Sequence, residues 1–435
     1  MAERPHRPNR TLTGLRVALG MTQQQYAAAA GVSEREVRDW EAGRVSCPQT
    51  WSLQRLHGLH GTSTPEDLGF AGRSRRAHQS AGTVEPGDQT EAAVYRRNLI
   101  GLVVAAAFGA QHLPALGGLL AEDEPYDRQV GLGDVERITK ANASLTSTDL
   151  MVGGAAVPVD VLMRQFRTKS ALLYGRFASD ATRAATHSAV AHLGSTIAWM
   201  MFDQGRHLNS RQMYLASLRI AKGADDTWAL RAVICSEMAR QARHCRAFEE
   251  AEELIGIAHG ADSQLPATAR AELHAISASI AAANGDRTRT IDQIRRAEDE
   301  FGRAKKGTDP AWIAWFTPAE LAGDTGEAMA VLAQHHDDLR ADAAARLTAS
   351  ARSHQPSAQR SAALTMTRLA ELHAADHNPT RAARATHQAV DLAERLRSPR
   401  LTETLNTAAT TMSPLAAHPD MASAIARIRA LTVTA

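Results

Sequence analysis

The chain has 435 residues, 44% of them apolar, and a formal net charge of +2. That length exceeds what one core organises and suits two or three domains, and the apolar content excludes overall disorder. The near-neutral charge excludes a uniformly basic nucleic-acid coat but leaves room for a local DNA-binding module.

Residues 1–10 are rich in Pro and Arg and read as a disordered arm. Residues 11–70 read as short helices separated by turns. A first helix is expected over 12–19. Thr22 would cap the next, over 23–29. Gly31 would make the turn, and Ser33 would cap a third helix ending at Gly43. Further helices are expected over 48–56 and 65–70. Residues 71–92 hold Gly, Ser, Pro and charges with almost no large apolar side chain, which is linker composition. Residues 93–180 read as a helical connecting region. Within it the run LIGLVVAAAFGA at 99–110 follows Arg96-Arg97 and imitates a twin-arginine export signal. It lies about a hundred residues into the chain and is too short to span a bilayer, so a buried helix is expected and no membrane partner.

Residues 181–435 are dominated by Ala, Leu and Arg, and they repeat loosely. Helical runs pair as 187–203 with 212–221, 228–244 with 246–259, and 266–283 with 287–301. Two more pairs follow, 310–321 with 324–334 and 357–375 with 380–397. The turns inside pairs fall near Gly205, Cys245, Gly285 and Gly323, a period of roughly 40 residues. Pairs of this kind cannot bury their apolar stripes singly, so they stack. The expected fold is all-α: a five-helix N-terminal domain, then a TPR-like α-solenoid. Matches to the 34-residue tetratricopeptide consensus are poor, hence "TPR-like".

The string LRVALGMTQQQYAAAAGVSEREVRDWEAG resembles the Cro/CI-type (XRE) helix-turn-helix. The matching residues are Leu15-Arg16, Thr22-Gln23, Val32-Ser33 after Gly31, Val37, Trp40-Glu41 and Gly43; Tyr26 stands where Leu is usual. Val32, Val37 and Trp40 lie on the side of helix three that must bury. Glu34, Arg35, Arg38 and Asp39 lie on the other side. The resemblance implies that Glu34, Arg35 and Asp39 read base edges, where Arg takes guanine and acids accept from cytosine. It further implies that Gln23 touches phosphate at a helix N-terminus, with Ser33, Arg38 and Arg44 completing the DNA-binding set. Arg16 and Glu41 match the family's structural ion pair. Residues 1–70 hold eight Arg and seven acids, a net charge of only +1. A dimer on two half-sites of double-stranded DNA is therefore expected.

The whole layout is similar to actinobacterial, Streptomyces-type regulators that join an XRE helix-turn-helix to a TPR-like domain. More remotely it resembles Firmicute quorum-sensing regulators that bind a signal peptide in a TPR groove. By that analogy a signal peptide or small molecule would bind the concave face, where His192, Trp199, Arg231, Arg240, His274, Trp312 and Trp315 are candidates. Each has a plainer role as a packing, solvated or ion-paired residue. No Walker loop, H-E-x-x-H or G-x-S-x-G motif is present, so an enzyme is not expected. Cys47, Cys235 and Cys245 form no C-x-x-C pair. Neither a disulfide framework nor a structural metal is expected, no cofactor is implied, and a cytoplasmic protein is. The reading is a ligand-controlled, dimeric transcriptional regulator. Its alternative is an interaction adaptor whose helix-turn-helix serves as a targeting module.

Overall fold

The computed structural model describes residues 9, 12, 13, 16, 22–30, 32–45, 48, 56, 70, 100, 103, 128–224, 227–305, 307, 309–310 and 312–431. The expected arm at 1–10 apart from Asn9, the linker at 71–92, Gly31, and most of the helices expected at 12–19, 48–56, 65–70 and 99–110 lie outside them. Among the described residues the chain is helical, apart from one two-stranded sheet. No described helix is long and apolar enough to cross a membrane. Val103 is fully buried in the helical core, and Ile100 packs beside it.

Two helices represent the N-terminal module, α1 (Gln23–Ala30) and α2 (Glu34–Glu41). They bury Tyr26, Ala27, Val37 and Trp40 against Leu12, Leu56 and Phe70. Trp40 meets the Phe70 ring edge-on at 6.3 Å. Asn9, assigned above to the arm, belongs to this module. Its Oδ1 accepts from the Leu12 N–H at 3.0 Å, and its own N–H donates to the Glu41 carbonyl at 2.8 Å.

The helical region opens with α3 (Leu132–Val152) and α4 (Val159–Ser170). Strands β1 (Gln129–Val130) and β2 (Arg176–Phe177) pair in parallel beside them. Six helix pairs follow. They are α5 (Asp180–Asp203) with α6 (His207–Ala221), α7 (Thr227–His244) with α8 (Phe248–His259), and α9 (Ala267–Ala283) with α10 (Arg287–Arg303). Then come α11 (Pro318–Leu332) with α12 (Arg340–Ser353), α13 (Gln359–Ala375) with α14 (Pro379–Ala393), and α15 (Pro399–Met412) with α16 (Pro419–Leu431). Four of the turns inside pairs share one device. A single residue takes positive φ: Gly205 (73°), Arg246 (61°), Gly285 (73°) and His377 (52°). The next N–H then reaches back five residues, as from Arg206 to Met201 (2.8 Å) and from Asn378 to His373 (3.0 Å). This Schellman closure satisfies the helix-end carbonyls and reverses the chain.

The fourth pair departs from the sequence expectation. Gly323 is not a turn: α11 runs through it unbroken and pairs with a helix at 340–353 that the periodicity did not show. Thr317 caps α11 through the Glu320 N–H, with Pro318 at the first helical position. That later start leaves Trp312 and Trp315 in the turns before the helix. Gly323 instead permits close approach. A Cβ there would lie 2.9 Å from Ser350 Oγ on α12.

The pairs do not end in an open stack. The last returns to the first. Between α3 and α4, Gly153 (φ 101°) lies flat against the backbone of Arg397, where any Cβ would sit 2.5 Å from its carbonyl oxygen. Arg397 N–H donates to Val152, and Ala155 N–H donates to Arg397. Asp203, wholly buried at the end of α5, accepts from Ser398 (2.8 Å), from Arg400 (3.1 Å) and from the Gly154 N–H (2.9 Å). Arg360 of α13 grips Asp149 of α3 with both guanidinium nitrogens (2.8 and 2.6 Å) and lies 3.1 Å from Asp203.

Candidate nucleic-acid interface

The sequence builds α2 as a strongly capped, two-faced helix. Ser33 N–H and Oγ donate to Glu36 Oε2 (both 2.7 Å), while Ser33 Oγ accepts the Glu36 N–H (3.2 Å). This capping box uses both partners to satisfy orphan donors at the helix start. At the far end, Gly43 takes positive φ (71°), and the Arg44 N–H closes on the Asp39 carbonyl at 2.9 Å. Val37 and Trp40 are buried, as their spacing predicts. Arg16 donates to Glu41 at 2.6 Å, so the expected structural ion pair is formed.

The opposite face carries Glu34, Arg35, Arg38 and Asp39. Arg35 has 88% of its side chain exposed and stands 3.9 Å from Asp39. Arg38 stands at the same distance from Glu34, one helical turn away. Arg44 donates to Asp39 at 2.7 Å. Each acid on this face therefore has a cation beside it, which weakens the repulsion that a bare acidic face would offer phosphate. Gln23 lies at the start of α1. Its Nε2 donates inward to Glu41 at 2.6 Å, so its side chain holds the two helices together.

Residues 14–66 match the helix-turn-helix family model. The segment is an XRE-type DNA-binding module. No curated protein and no solved structure matches the chain. The match makes the chain a DNA-binding regulator in general terms.

The candidates in the helical region come from α5, α7, α9 and the turns before α11. Arg240 and Trp315 do meet, with the guanidinium 5.5 Å from the ring centre. Arg240 also donates to Glu272 (3.2 Å) and Asp324 (2.8 Å). Trp199 packs edge-on against Phe202, and Arg400 lies over its ring at 5.1 Å. Arg231 lies over Trp228 at 5.1 Å. His274 Nδ1 is 2.8 Å from Gln293 Oε1, and its ring stacks on His259. Burial lowers His192 to about 4, keeping that ring neutral. Trp312 packs half-buried on the core.

What sequence reasoning missed is the charged interior. Arg243 and Arg368, from α7 and α13, both reach Glu327 of α11 (3.0 and 3.1 Å). Despite its burial those two cations hold Glu327 down at about 2. Burial pushes Glu237 up to about 8, with Ser195 Oγ 2.5 Å away. Burial likewise pushes Glu320 up to about 7, and the charge of Asp324 adds to the rise. The signal was a regular spacing of acids and arginines on the first helices of pairs, which reads from sequence as a solvated face. A groove of about 610 Å³ between α12, α13 and α14 was also missed. It presents Arg352, Arg381, Arg384 and His373, and none of the seven predicted ligand residues lines it.

Proposed function

We propose that this chain is a sequence-specific, dimeric transcriptional regulator that reads double-stranded DNA through α2. The observation that carries the reading is Arg35, extended outward from a helix whose start, end and inner face are all fixed. Arginine in that position reaches guanine O6 and N7 in the major groove. Glu34, Arg38 and Asp39 flank it, Ser33 and Arg44 lie at the two ends of α2, and Gln23 braces α2 from α1. The test is selection of bound sequences from a random duplex library with the full chain, followed by genome-wide mapping. Enrichment of one motif supports the reading. Retention of all sequences in proportion to their abundance overturns it.

The helical region supplies control by an effector, a signal peptide or small molecule. The cluster around Arg240 and Trp315 supports this, because it joins a cation, an aromatic ring, the buried Glu272 and the half-buried Asp324 from three helix pairs. An effector that competes for Arg240 changes how those pairs sit. About 1–3 kcal/mol of coupling to DNA affinity is the ordinary scale. Trp315 fluorescence reports binding. A candidate effector that leaves both fluorescence and operator affinity unchanged is excluded.

A further inference from the structure

We propose that His207, His244 and Glu403 form a divalent transition-metal site that fastens the last helix pair to the first two. Their donor atoms all lie within 4.8 Å of one another. The residues come from three elements: His207 is the first residue of α6, His244 the last of α7, and Glu403 lies in α15. The turns inside pairs put them there. Gly205 reverses the chain just before His207, and Arg246 does so just after His244.

The geometry suits a metal better than a hydrogen bond. His244 Nε2 stands 3.4 Å from Glu403 Oε2, long for an N–H···O contact. With metal–ligand bonds of about 2.0–2.2 Å, the edge of a tetrahedral zinc site is roughly 3.3–3.6 Å. His207 Nδ1 is buried with no hydrogen-bond partner in the protein. The Phe202 ring packs on both imidazoles, at 5.7 and 5.3 Å, and fixes their planes. Glu403 has 62% of its side chain exposed, which gives an ion a way in and leaves room for a water as fourth ligand. Two cations face the cluster, Arg400 and Arg211. Each already has a carboxylate, Asp203 at 3.1 Å and Glu250 at 2.8 Å. Two imidazoles and a carboxylate suit zinc or cobalt rather than magnesium or calcium.

A second cluster, His259, Asp262 and His274, is less suited. His259 Nδ1 is 3.1 Å from both Asp262 oxygens, its Nε2 is 3.1 Å from Ser277 Oγ, and His274 Nδ1 is held by Gln293. Most of those donors already have hydrogen-bond partners.

The test uses EDTA-treated full-length protein. Equilibrium dialysis against Zn²⁺, and titration with Co²⁺ followed by its visible absorption, should give one ion per chain. Glu403→Gln and His244→Ala should each weaken binding at least about tenfold, while His274→Ala should not. Zn²⁺ should raise the melting temperature of the wild type and fail to raise that of Glu403→Gln. Because Glu403 is exposed, its Gln variant keeps the metal-free melting temperature and reports on the site alone. Absence of stoichiometric binding, binding unchanged in Glu403→Gln, or binding lost in His274→Ala would each overturn the proposal. None of these readouts involves DNA, so failure here leaves the DNA-reading proposal intact, and the reverse.

Discussion

Arg35 and Arg360 show how differently one residue type behaves with burial. Arg35 is 88% exposed, with Asp39 3.9 Å away as a loose surface partner. Arg35→Ala should leave stability within about 0.5 kcal/mol and cost ~1–3 kcal/mol of binding at one base pair. Affinity measured on the selected motif and on a variant of that base pair checks this; equal loss on random DNA would make Arg35 a phosphate contact. Arg360 is buried between Asp149 and Asp203. Arg360→Met keeps the volume but strands the Asp149 carboxylate and removes one of the two guanidinium partners of Asp203. The expected cost is about 3–5 kcal/mol of stability, read by denaturant unfolding. Asp203 retains Arg400, so a loss at the low end of that range would show that Asp149 is the carboxylate that matters.

Element boundaries divide according to whether their signals are local. Ser33 with Glu36, and Gly43 after Trp40, are complete within ten residues, and the sequence reading placed α2 almost to the residue. Gly205 and Gly285 likewise marked true turns. Gly323 looked the same in sequence, followed by Asp324 as Gly285 is by Asp286, yet it lies inside α11. The deciding fact is tertiary: Ser350 lies where a side chain would be. At the equivalent position of the fifth pair the left-handed residue is His377, which no composition rule suggests. The pairing of His207 and His244 with Glu403 was invisible for the same reason, since Glu403 lies 159 residues beyond His244. A local prediction follows for α2. Ser33→Ala removes the cap on α2 and should cost about 0.5–2 kcal/mol of module stability. Affinity for every DNA sequence should fall together, unlike the single-position effect of Arg35→Ala. Footprinting of both variants separates the two.

On the scale of the whole molecule, packing of the helix pairs on one another buries acids. Burial raises Glu237 to about 8 and Glu320 to about 7, from an ordinary value near 4.5. A carboxyl group raised on folding favours the folded state only while protonated in it. Its contribution is fully present below pH about 4.5 and is lost as the pH rises through 7 to 8. The helical region should therefore melt at lower temperature at pH 8.5 than at pH 6. Glu237→Gln should flatten that dependence. A wild-type melting temperature unchanged across the window would show that both groups are ionised when folded.

The module has few cations to spare. Residues 1–70 sum to +1, and on α2 Arg38 faces Glu34 while Arg44 is committed to Asp39. Each phosphate neutralised contributes to affinity through counterion release, so one module with few free cations binds weakly. Two modules on one duplex add their contacts at high effective concentration. The chain should therefore bind as a dimer to two half-sites, with centres one helical turn or a multiple apart, ~34–36 Å per turn. Inserting five base pairs between half-sites turns one module to the opposite side of the duplex and should abolish tight binding. Inserting ten should restore much of it. Light scattering should show a dimer at micromolar concentration. A monomer that binds the complete site with full affinity, indifferent to both insertions, would rule the arrangement out.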